Sequence, residues 1–200
     1  MPELPEVETT RRGIEPHIVG KAIKSVVVRQ PSLRWPVSPE LSQVMTGNRV
    51  TGISRRGKYL LFTTNTGRMM VHLGMSGSLR ITNGSNALKK HDHIDIVFDD
   101  GIVLRYHDPR RFGSVFWIPE GSSHELIDSL GPEPLSDGFN GRYLYELSRR
   151  RKLAIKLFIM NSKVVVGVGN IYANEALHAA GIRPDRAAGR VSQDRYARLS

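Results

Sequence analysis

The first half of the chain alternates short apolar segments with glycines and polar residues, a pattern typical of β-strands. Residues 21–30 are rich in β-branched side chains, and residues 49–64 and 68–82 continue this pattern. The clearest hairpin joins HIDIVF to IVLRY through the Asp-Asp-Gly at residues 99–101, because Asp-Gly supplies the positive φ angles of a tight turn. A further strand is predicted over residues 114–118. Short strands at this regular spacing predict a sandwich or barrel.

The pattern changes after the LGPEP segment at residues 130–134, where proline and glycine interrupt regular structure. From there on, apolar residues recur at helical spacing. We therefore predict an α+β protein with two domains, a β-rich domain over residues 1–131 and a helical domain over residues 132–200.

Three helices are predicted in the second domain. Asn140 is expected to cap the first, and a second contains the apolar stripe Ile155, Phe158 and Ile159. The third runs from Asn170 to about residue 180, where Gly181 ends it.

The final residues, SQDRYARLS, predict one more short helix. Its apolar face contains only Tyr196 and Leu199 before the end of the sequence. Because so short a helix would not hold alone, we expect the chain to be a fragment or the product of a truncated gene.

The charge of the chain favours an anionic partner. Its 29 Lys and Arg against 19 Asp and Glu give a formal net charge of +10. Nucleic acid is the leading candidate for such a partner, ahead of a phospholipid surface. No apolar run is long enough to span a bilayer, and the start does not resemble a secretory signal, so we expect a cytoplasmic protein.

The chain contains no cysteine, which excludes disulfides, thiolate catalysis and cysteine-ligated zinc within these residues. His91 and His93 have the spacing of one strand face, but no further ligand pair accompanies them. We therefore predict no metal site.

The N-terminus offers a reactive group. Initiator methionine is usually removed before a small residue, so Pro2 should present a free secondary amine. An α-amino group has an ordinary pKa of about 8, so part of it is unprotonated at neutral pH and nucleophilic. The alternative is structural, because proline at the first helical position and glutamate in the first turn are ordinary signals of a helix start.

Several motifs point to one family. The N-terminal PELPEVETTRRGIEP is followed in order by RRGKYLL, HLGMSGSLR, KHDHID, LRYHDPRRFG, LGPEPL and VVGVGNIYANEAL. This set closely resembles the formamidopyrimidine-DNA glycosylase family of base-excision repair, over nearly all of the chain. The intact ELPEVET resembles the purine-directed branch rather than the endonuclease VIII branch. The resemblance implies an N-terminal β-sandwich with a leading helix, then a helix-two-turn-helix domain.

The resemblance implies roles for two sets of residues. Pro2 would form a Schiff base, Glu3 would be the adjacent acid, and Lys58 would transfer a proton during elimination. Taken alone, Lys58 is more typical of a solvated charge at a strand end. The space left by a flipped nucleotide would be filled by three side chains: Met75, Arg110 and Phe112. Taken alone, Met75 and Phe112 are more typical of core packing.

Phosphate contacts are implied for further residues. His91 and Arg110 match DNA-contact positions of the family, and so does Lys156. Arg151 stands where relatives often carry lysine, in a basic run that could equally be a solvated helix face. Asn170, in the turn before a helix, could both cap that helix and contact a phosphate.

The expected partner is double-stranded DNA with oxidised purines or abasic sites, bound by a monomer. Members of the family continue into a zinc finger with four cysteines, which these residues lack, so we expect no zinc here. Two alternatives remain open: a catalytically impaired lesion-binding protein, and a nucleic-acid-binding module, for example one for RNA, suggested by charge alone.

Overall fold

The computed structural model describes residues 2–200, so the predicted removal of Met1 concerns a residue outside the described part. The chain forms two compact units, Met1–His124 and Glu125–Ser200. Among the described residues, no helix combines the length and apolar character needed to cross a membrane.

Helix α1, Leu4–Ile18, opens the first unit, and Glu3 is its N-cap. The Glu6 carboxylate accepts a hydrogen bond from the backbone N–H of Glu3 at 3.0 Å, which satisfies a donor that the helix leaves unpaired. Pro5 lies in the first turn, where its missing N–H costs nothing. The structural alternative for Pro2 is therefore wrong, because Pro2 precedes the cap and Pro5 supplies the helix-start signal.

In the described part of the first unit, residues 2–124, eight strands form two antiparallel sheets. One sheet has the order β1-β6-β7-β5 and the other the order β2-β3-β4-β8. The bounds are β1 Ile23–Val28, β2 Gly52–Arg56, β3 Tyr59–Thr63, β4 Gly67–His72, β5 Ser78–Asn83, β6 Asp92–Phe98, β7 Ile102–His107 and β8 Ser114–Pro119. A short helix, α2, spans Leu41–Met45. The predicted hairpin at residues 99–101 is confirmed as the turn between β6 and β7.

The two sheets share one hydrophobic core, which confirms the predicted sandwich. Phe62 and Met69 from one sheet and Ile96 and Leu104 from the other are all buried in it. Helix α1 adds Val7, Ile14 and Ile18 to the same cluster. Residues of both sheets and of α1 therefore form one continuous core.

The segment predicted as a strand over residues 68–82 is two strands in different sheets. Strand β4 ends at His72 and β5 begins at Ser78, so residues 73–77 cross from one sheet to the other. Residues 108–113 make the reverse crossing from β7 to β8. Because Ser78 pairs with His107 and His72 pairs with Ser114, the two crossings lie side by side at one end of the sandwich.

The second unit is helical. Its helices are α3 Glu125–Asp128, α4 Gly141–Ser148, α5 Ile155–Ile159, α6 Asn170–Ala179 and α7 Gln193–Leu199, with a 3-10 turn over Ala188–Arg190. The predicted cap is confirmed, because the Asn140 side chain accepts from the backbone N–H of Tyr143 at 2.9 Å. The predicted stripe on α5 is buried with Ala173 and Leu177 of α6.

Helix α7 is held by packing rather than by its own length. Tyr196 is fully buried, and its hydroxyl donates to the Ala188 carbonyl at 3.0 Å. Helix α4 approaches so closely that a Cβ on Gly141 would lie 2.6 Å from the backbone of Ala197. The absence of a side chain at Gly141 is thus a condition for this contact.

We expect Gly141→Ala to destabilise the second unit by about 1–3 kcal/mol, because α4 and α7 must separate to admit the new methyl group. Urea unfolding followed by circular dichroism measures the change. Gly138→Ala is the matched control, since its Cβ would meet nothing closer than 3.8 Å. Equal stabilities of the two variants would contradict the close contact.

Candidate functional site

The start of α1 holds two of the predicted catalytic residues. Pro2 lies just before the helix and is partly exposed, whereas the Glu3 side chain is almost fully buried. The Glu3 carbonyl accepts from the backbone N–H of Val7 at 3.1 Å, which fixes the backbone beside Pro2. The first residue of the described chain is therefore attached directly to an ordered helix cap.

Helix α1 is anchored to β2 by ionic contacts. Arg11 donates to Glu8 at 2.9 Å, and Arg55 of β2 donates to the same carboxylate at 3.3 Å. The hydrogen bond from Arg11 is the main reason that the pKa of Glu8 falls to about 2. Glu8 therefore stays ionised and holds the helix start near the end of β2.

Lys58 lies in the two-residue turn between β2 and β3, next to this helix start. Its side chain is half-buried, and burial lowers the pKa of the ammonium, while the Glu3 and Glu6 carboxylates act in the opposite direction. The structure thus brings Pro2, Glu3 and Lys58 to one corner of the sandwich. Lys58 is thus half-buried rather than a fully solvated charge at a strand end.

Two aromatic residues extend this corner. Tyr59 and His72 are directly paired across β3 and β4, with ring centroids 4.8 Å apart. Burial, with the charges of Lys58 and Arg34, lowers the pKa of His72 to about 4. His72 is therefore neutral at physiological pH. Its Nδ1 accepts the backbone N–H of Gly74 at 3.1 Å, which leaves the ring proton on Nε2.

The three side chains predicted to fill a void lie on the two sheet crossings. Met75 is 44% exposed and Phe112 is 42% exposed, so the core-packing alternative is wrong for both. The Arg110 guanidinium lies 4.6 Å from the centroid of the Phe112 ring, within cation–π range. Gly74 has φ 65, and a Cβ there would overlap the backbone of Phe112, so the two crossings are in close contact.

A basic groove adjoins the Phe112 loop. Its volume is about 500 Å³, and its lining includes the cationic side chains Arg34, Arg110 and Arg111. The backbone N–H of Arg34 donates to the Gly113 carbonyl at 3.1 Å, which attaches the Arg34 loop to this crossing. Three guanidinium groups around one groove suit an anionic chain such as a phosphate backbone.

His91 lies at the edge of the same region. Its carbonyl accepts from the backbone N–H of Asp108 at 3.0 Å, and its ring is edge-on to His93 and His107 at about 6 Å. Within residues 2–200, no group of three or more His, Cys, Asp or Glu side chains has an arrangement that could hold a metal ion.

The second unit contains the other predicted contacts, in a helix-turn-turn-helix segment formed by α5, residues 160–169 and α6. Lys156 is in the first turn of α5 and half-buried, and Asn170 is exposed. The prediction that Asn170 caps α6 is wrong. Gly169, in extended conformation, is the N-cap of α6, and Asn170 is its first helical residue. The Asn170 side chain is therefore not used as a cap.

The basic run at residues 149–152 does not form a helix face. Helix α4 ends at Ser148, and Arg149 turns back to stack on Tyr145, with its guanidinium carbon 3.8 Å from the ring centroid. Arg150 adopts a positive φ of 63. Arg151 is exposed in the following turn, so its guanidinium is accessible to a ligand.

Comparison with known proteins agrees with this geometry. The formamidopyrimidine-DNA glycosylase N-terminal domain matches residues 1–115, and the H2TH domain of the same enzyme matches residues 130–200. The chain belongs to the formamidopyrimidine-DNA glycosylase family. Formamidopyrimidine-DNA glycosylases of Stenotrophomonas maltophilia and Marinomonas sp. are 54% and 59% identical to it. The matches cover 100% of this chain and 74% of each relative.

Solved structures show the same fold. The Lactococcus lactis formamidopyrimidine-DNA glycosylase bound to DNA with an AP site is 34% identical, with a TM-score of 0.91. The match covers 98% of this chain and 76% of that one. MutM in complex with DNA containing carbocyclic 8-oxo-G is 35% identical, with a TM-score of 0.92, over 99% of this chain and 75% of that one. The predicted α+β fold with a helix-two-turn-helix domain is thus confirmed.

Three residues that lie beside the predicted positions were not named from the sequence: Arg34, Tyr59 and His72. Tyr59 and His72 lie inside the motifs RRGKYLL and HLGMSGSLR, so the motifs themselves were the available signal. Arg34 lies in a loop with no recognisable pattern, which is brought to the groove by the backbone contact with Gly113 and by the buried neighbour Leu33.

We expect Glu3→Gln to lower the pKa of Lys58 further, because it removes a negative charge that favours the ammonium and leaves the burial unchanged. NMR titration of 13C-methylated lysine measures this pKa. Glu40→Gln, at an exposed glutamate, serves as the control. An unchanged or raised pKa in Glu3→Gln would show that Glu3 does not act on Lys58.

Proposed function

We propose that this chain excises oxidised purines from duplex DNA and cleaves the resulting abasic site, with Pro2 as the nucleophile. The observation that carries the proposal is the corner that joins Pro2 to the buried Glu3 and the half-buried Lys58. Relatives of the same fold have been solved with an AP site, carbocyclic 8-oxo-G and Fapy-dG in DNA, which supports this choice of substrate.

The chemistry follows from a secondary amine. The lone pair of the Pro2 nitrogen forms a bond to C1′ of the damaged nucleotide, and the glycosidic bond breaks with its electron pair on the departing base. Loss of the nitrogen proton and opening of the C1′–O4′ bond give an iminium. The iminium withdraws electrons, so removal of the C2′ proton releases the 3′ phosphate, and elimination at C4′ releases the 5′ phosphate. Water then hydrolyses the iminium and restores the amine.

Glu3 and Lys58 divide the proton transfers. We assign to Glu3 the protonation of the sugar oxygen that leaves C1′ on ring opening, because its carboxyl group is attached to the residue beside the nucleophile. We assign to Lys58 a proton transfer during the elimination steps. Burial lowers the pKa of Lys58, so its ammonium gives up a proton more readily than that of an exposed lysine does.

Base removal requires the nucleotide to leave the stack, which costs a few kcal/mol. We propose that Met75, Arg110 and Phe112 fill the space that it leaves. Their exposure and the stacking of Arg110 on Phe112 suit this role, because a planar guanidinium can also pair with the orphaned base. The groove beside them would hold the strand through the guanidinium groups that line it.

The second unit would hold the duplex by its phosphates. Asn170 is exposed in the first turn of α6, where an anion is favoured, and we propose that Arg151, Lys156 and, from the first unit, His91 add charge or donors. We accordingly propose a catalytic domain over residues 1–131 and a DNA-binding domain over residues 132–200.

The structural zinc implied by the family resemblance requires four cysteines, and these 200 residues contain none, so they do not supply its ligands. We place the protein in the bacterial cytoplasm, where chromosomal DNA lies, because its relatives are bacterial. We propose that it acts as a monomer.

Borohydride trapping tests the nucleophile directly. With a duplex that contains 8-oxoguanine or an abasic site, reduction of the iminium should leave a covalent protein–DNA adduct. In a variant that carries one additional alanine before Pro2, the nitrogen of this proline is part of an amide and is no longer a free amine. Trapping of this variant should fall at least about 100-fold.

This extension leaves every side chain in place, and circular dichroism checks its fold. If the unextended chain binds lesions preferentially but gives no adduct, the result would indicate a catalytically impaired lesion-binding protein instead. Equal trapping by both forms would show that another amine reacts.

The phosphate contacts predict a salt effect. Lys156→Ala and Arg151→Ala should each weaken duplex binding for all sequences and reduce the slope of log affinity against log salt by about 1. Fluorescence anisotropy across a salt series gives the slope. Arg142→Ala is the control, because Arg142 is exposed and paired with Glu146 at 2.8 Å. Slopes equal to that of the control would exclude these two residues from the interface.

A further inference from the structure

The two sheet crossings are joined through a buried carboxylate that the proposed reaction does not use. Asp108 is fully buried at the start of the second crossing. Its Oδ1 accepts from the Ser76 hydroxyl at 2.6 Å, and its Oδ2 accepts from the Tyr106 hydroxyl at 3.0 Å and the Gly113 backbone N–H at 2.9 Å. The carboxylate therefore contacts both crossings at once.

Ser76 completes a bridge between the crossings. Its hydroxyl donates to Asp108 and also accepts the backbone N–H of Arg110 at 3.2 Å. Ser76 is the neighbour of Met75, and Arg110 is itself one of the proposed void-filling residues. A single hydroxyl thus connects the backbone that carries Met75 to the backbone that carries Arg110.

The bridge restricts the conformations of both loops. A buried carboxylate is costly unless donors satisfy it, so a movement that separates Ser76 or Gly113 from Asp108 is penalised. Burial and the nearby Asp108 also raise the pKa of Tyr106, which keeps its hydroxyl a donor. The backbone of Asp108 is fixed as well, because its carbonyl accepts from His93 Nε2 at 2.8 Å.

From these contacts we infer that Ser76 and Asp108 are positioning residues, which hold Met75, Arg110 and Phe112 in the arrangement that enters the duplex when a nucleotide leaves it. The inference rests on the proposed function. Neither residue needs to touch the reacting sugar. Their effect should be confined to substrates in which a void must be filled, namely duplexes.

Ser76→Ala removes both hydrogen bonds of the bridge without adding volume. On duplex DNA with an abasic site, we expect kcat/KM to fall about tenfold, the effect of losing one to two hydrogen bonds. On the same abasic nucleotide in a single strand, no void forms, and kcat/KM should stay within about twofold of the unsubstituted chain. Ser76→Thr, which keeps the hydroxyl, should restore most of the duplex activity.

The matched control is Ser85→Ala, which removes an exposed hydroxyl bonded to Asn83 in a different loop. It should leave both activities unchanged. A second measurement follows the free protein: because Ser76 accepts the Arg110 amide, hydrogen exchange at this amide should be faster in Ser76→Ala than in Ser85→Ala.

The outcomes are separable. If the unsubstituted chain gives no adduct and no cleavage, the proposed function fails, and the inference fails with it. If that chain is active but Ser76→Ala matches Ser85→Ala on duplex DNA, only the inference is overturned. An equal loss on duplex and single strand, or no rescue by threonine, would also overturn it, because such a loss reflects general destabilisation.

Discussion

The buried carboxylate of Asp108 constrains the functional end of the sandwich. The chain crosses between the sheets twice at this end, and each crossing leaves backbone donors that no sheet partner can satisfy. Asp108 satisfies the Gly113 amide directly and the Arg110 amide through Ser76. The same bonds decide which side chains of the crossings face outward, because the polar groups turn toward Asp108 and leave Met75 and Phe112 at the surface. The groove with Arg34 depends on this arrangement, since Arg34 is bonded to Gly113.

The corner that holds Pro2, Glu3 and Lys58 depends on a different constraint, the docking of α1 on β2. The Glu8 carboxylate of α1 forms ion pairs with the guanidinium groups of Arg11 and of Arg55, which lies on β2. The helix therefore cannot move along the strand without breaking the pair with Arg55. Its cap residue Glu3 is thereby held close enough to Lys58 for the carboxylate to oppose the effect of burial on the lysine. Burial lowers the pKa of Lys58, and the nearby carboxylates limit that decrease.

Local chemistry made part of this structure predictable. The Asp-Asp-Gly turn, the Asn140 cap and the apolar stripe of α5 depend on neighbours within a few residues, and the structure confirms them. The features that were predicted wrongly or missed are not determined by neighbouring residues in the sequence. Nothing within residues 68–82 shows that the chain changes sheets at residue 73, since strand pairing decides it. The choice of Gly169 over Asn170 as cap depends on backbone geometry, and Arg34 reaches its groove only through a loop.

The exposure of Met75 and Phe112 favours a ligand over a purely structural role. Leaving such side chains half in water forfeits on the order of 1 kcal/mol each of hydrophobic stabilisation, and the loops could turn inward if they were free to do so. Instead, the bonds to Asp108 keep the backbone of both crossings fixed. A preorganised apolar surface lowers the entropy lost on binding, because its loops are already ordered before the partner arrives. Rigid loops with exposed apolar tips are therefore a costly arrangement for an isolated protein and an advantageous one for a protein that must push a base out of a stacked duplex.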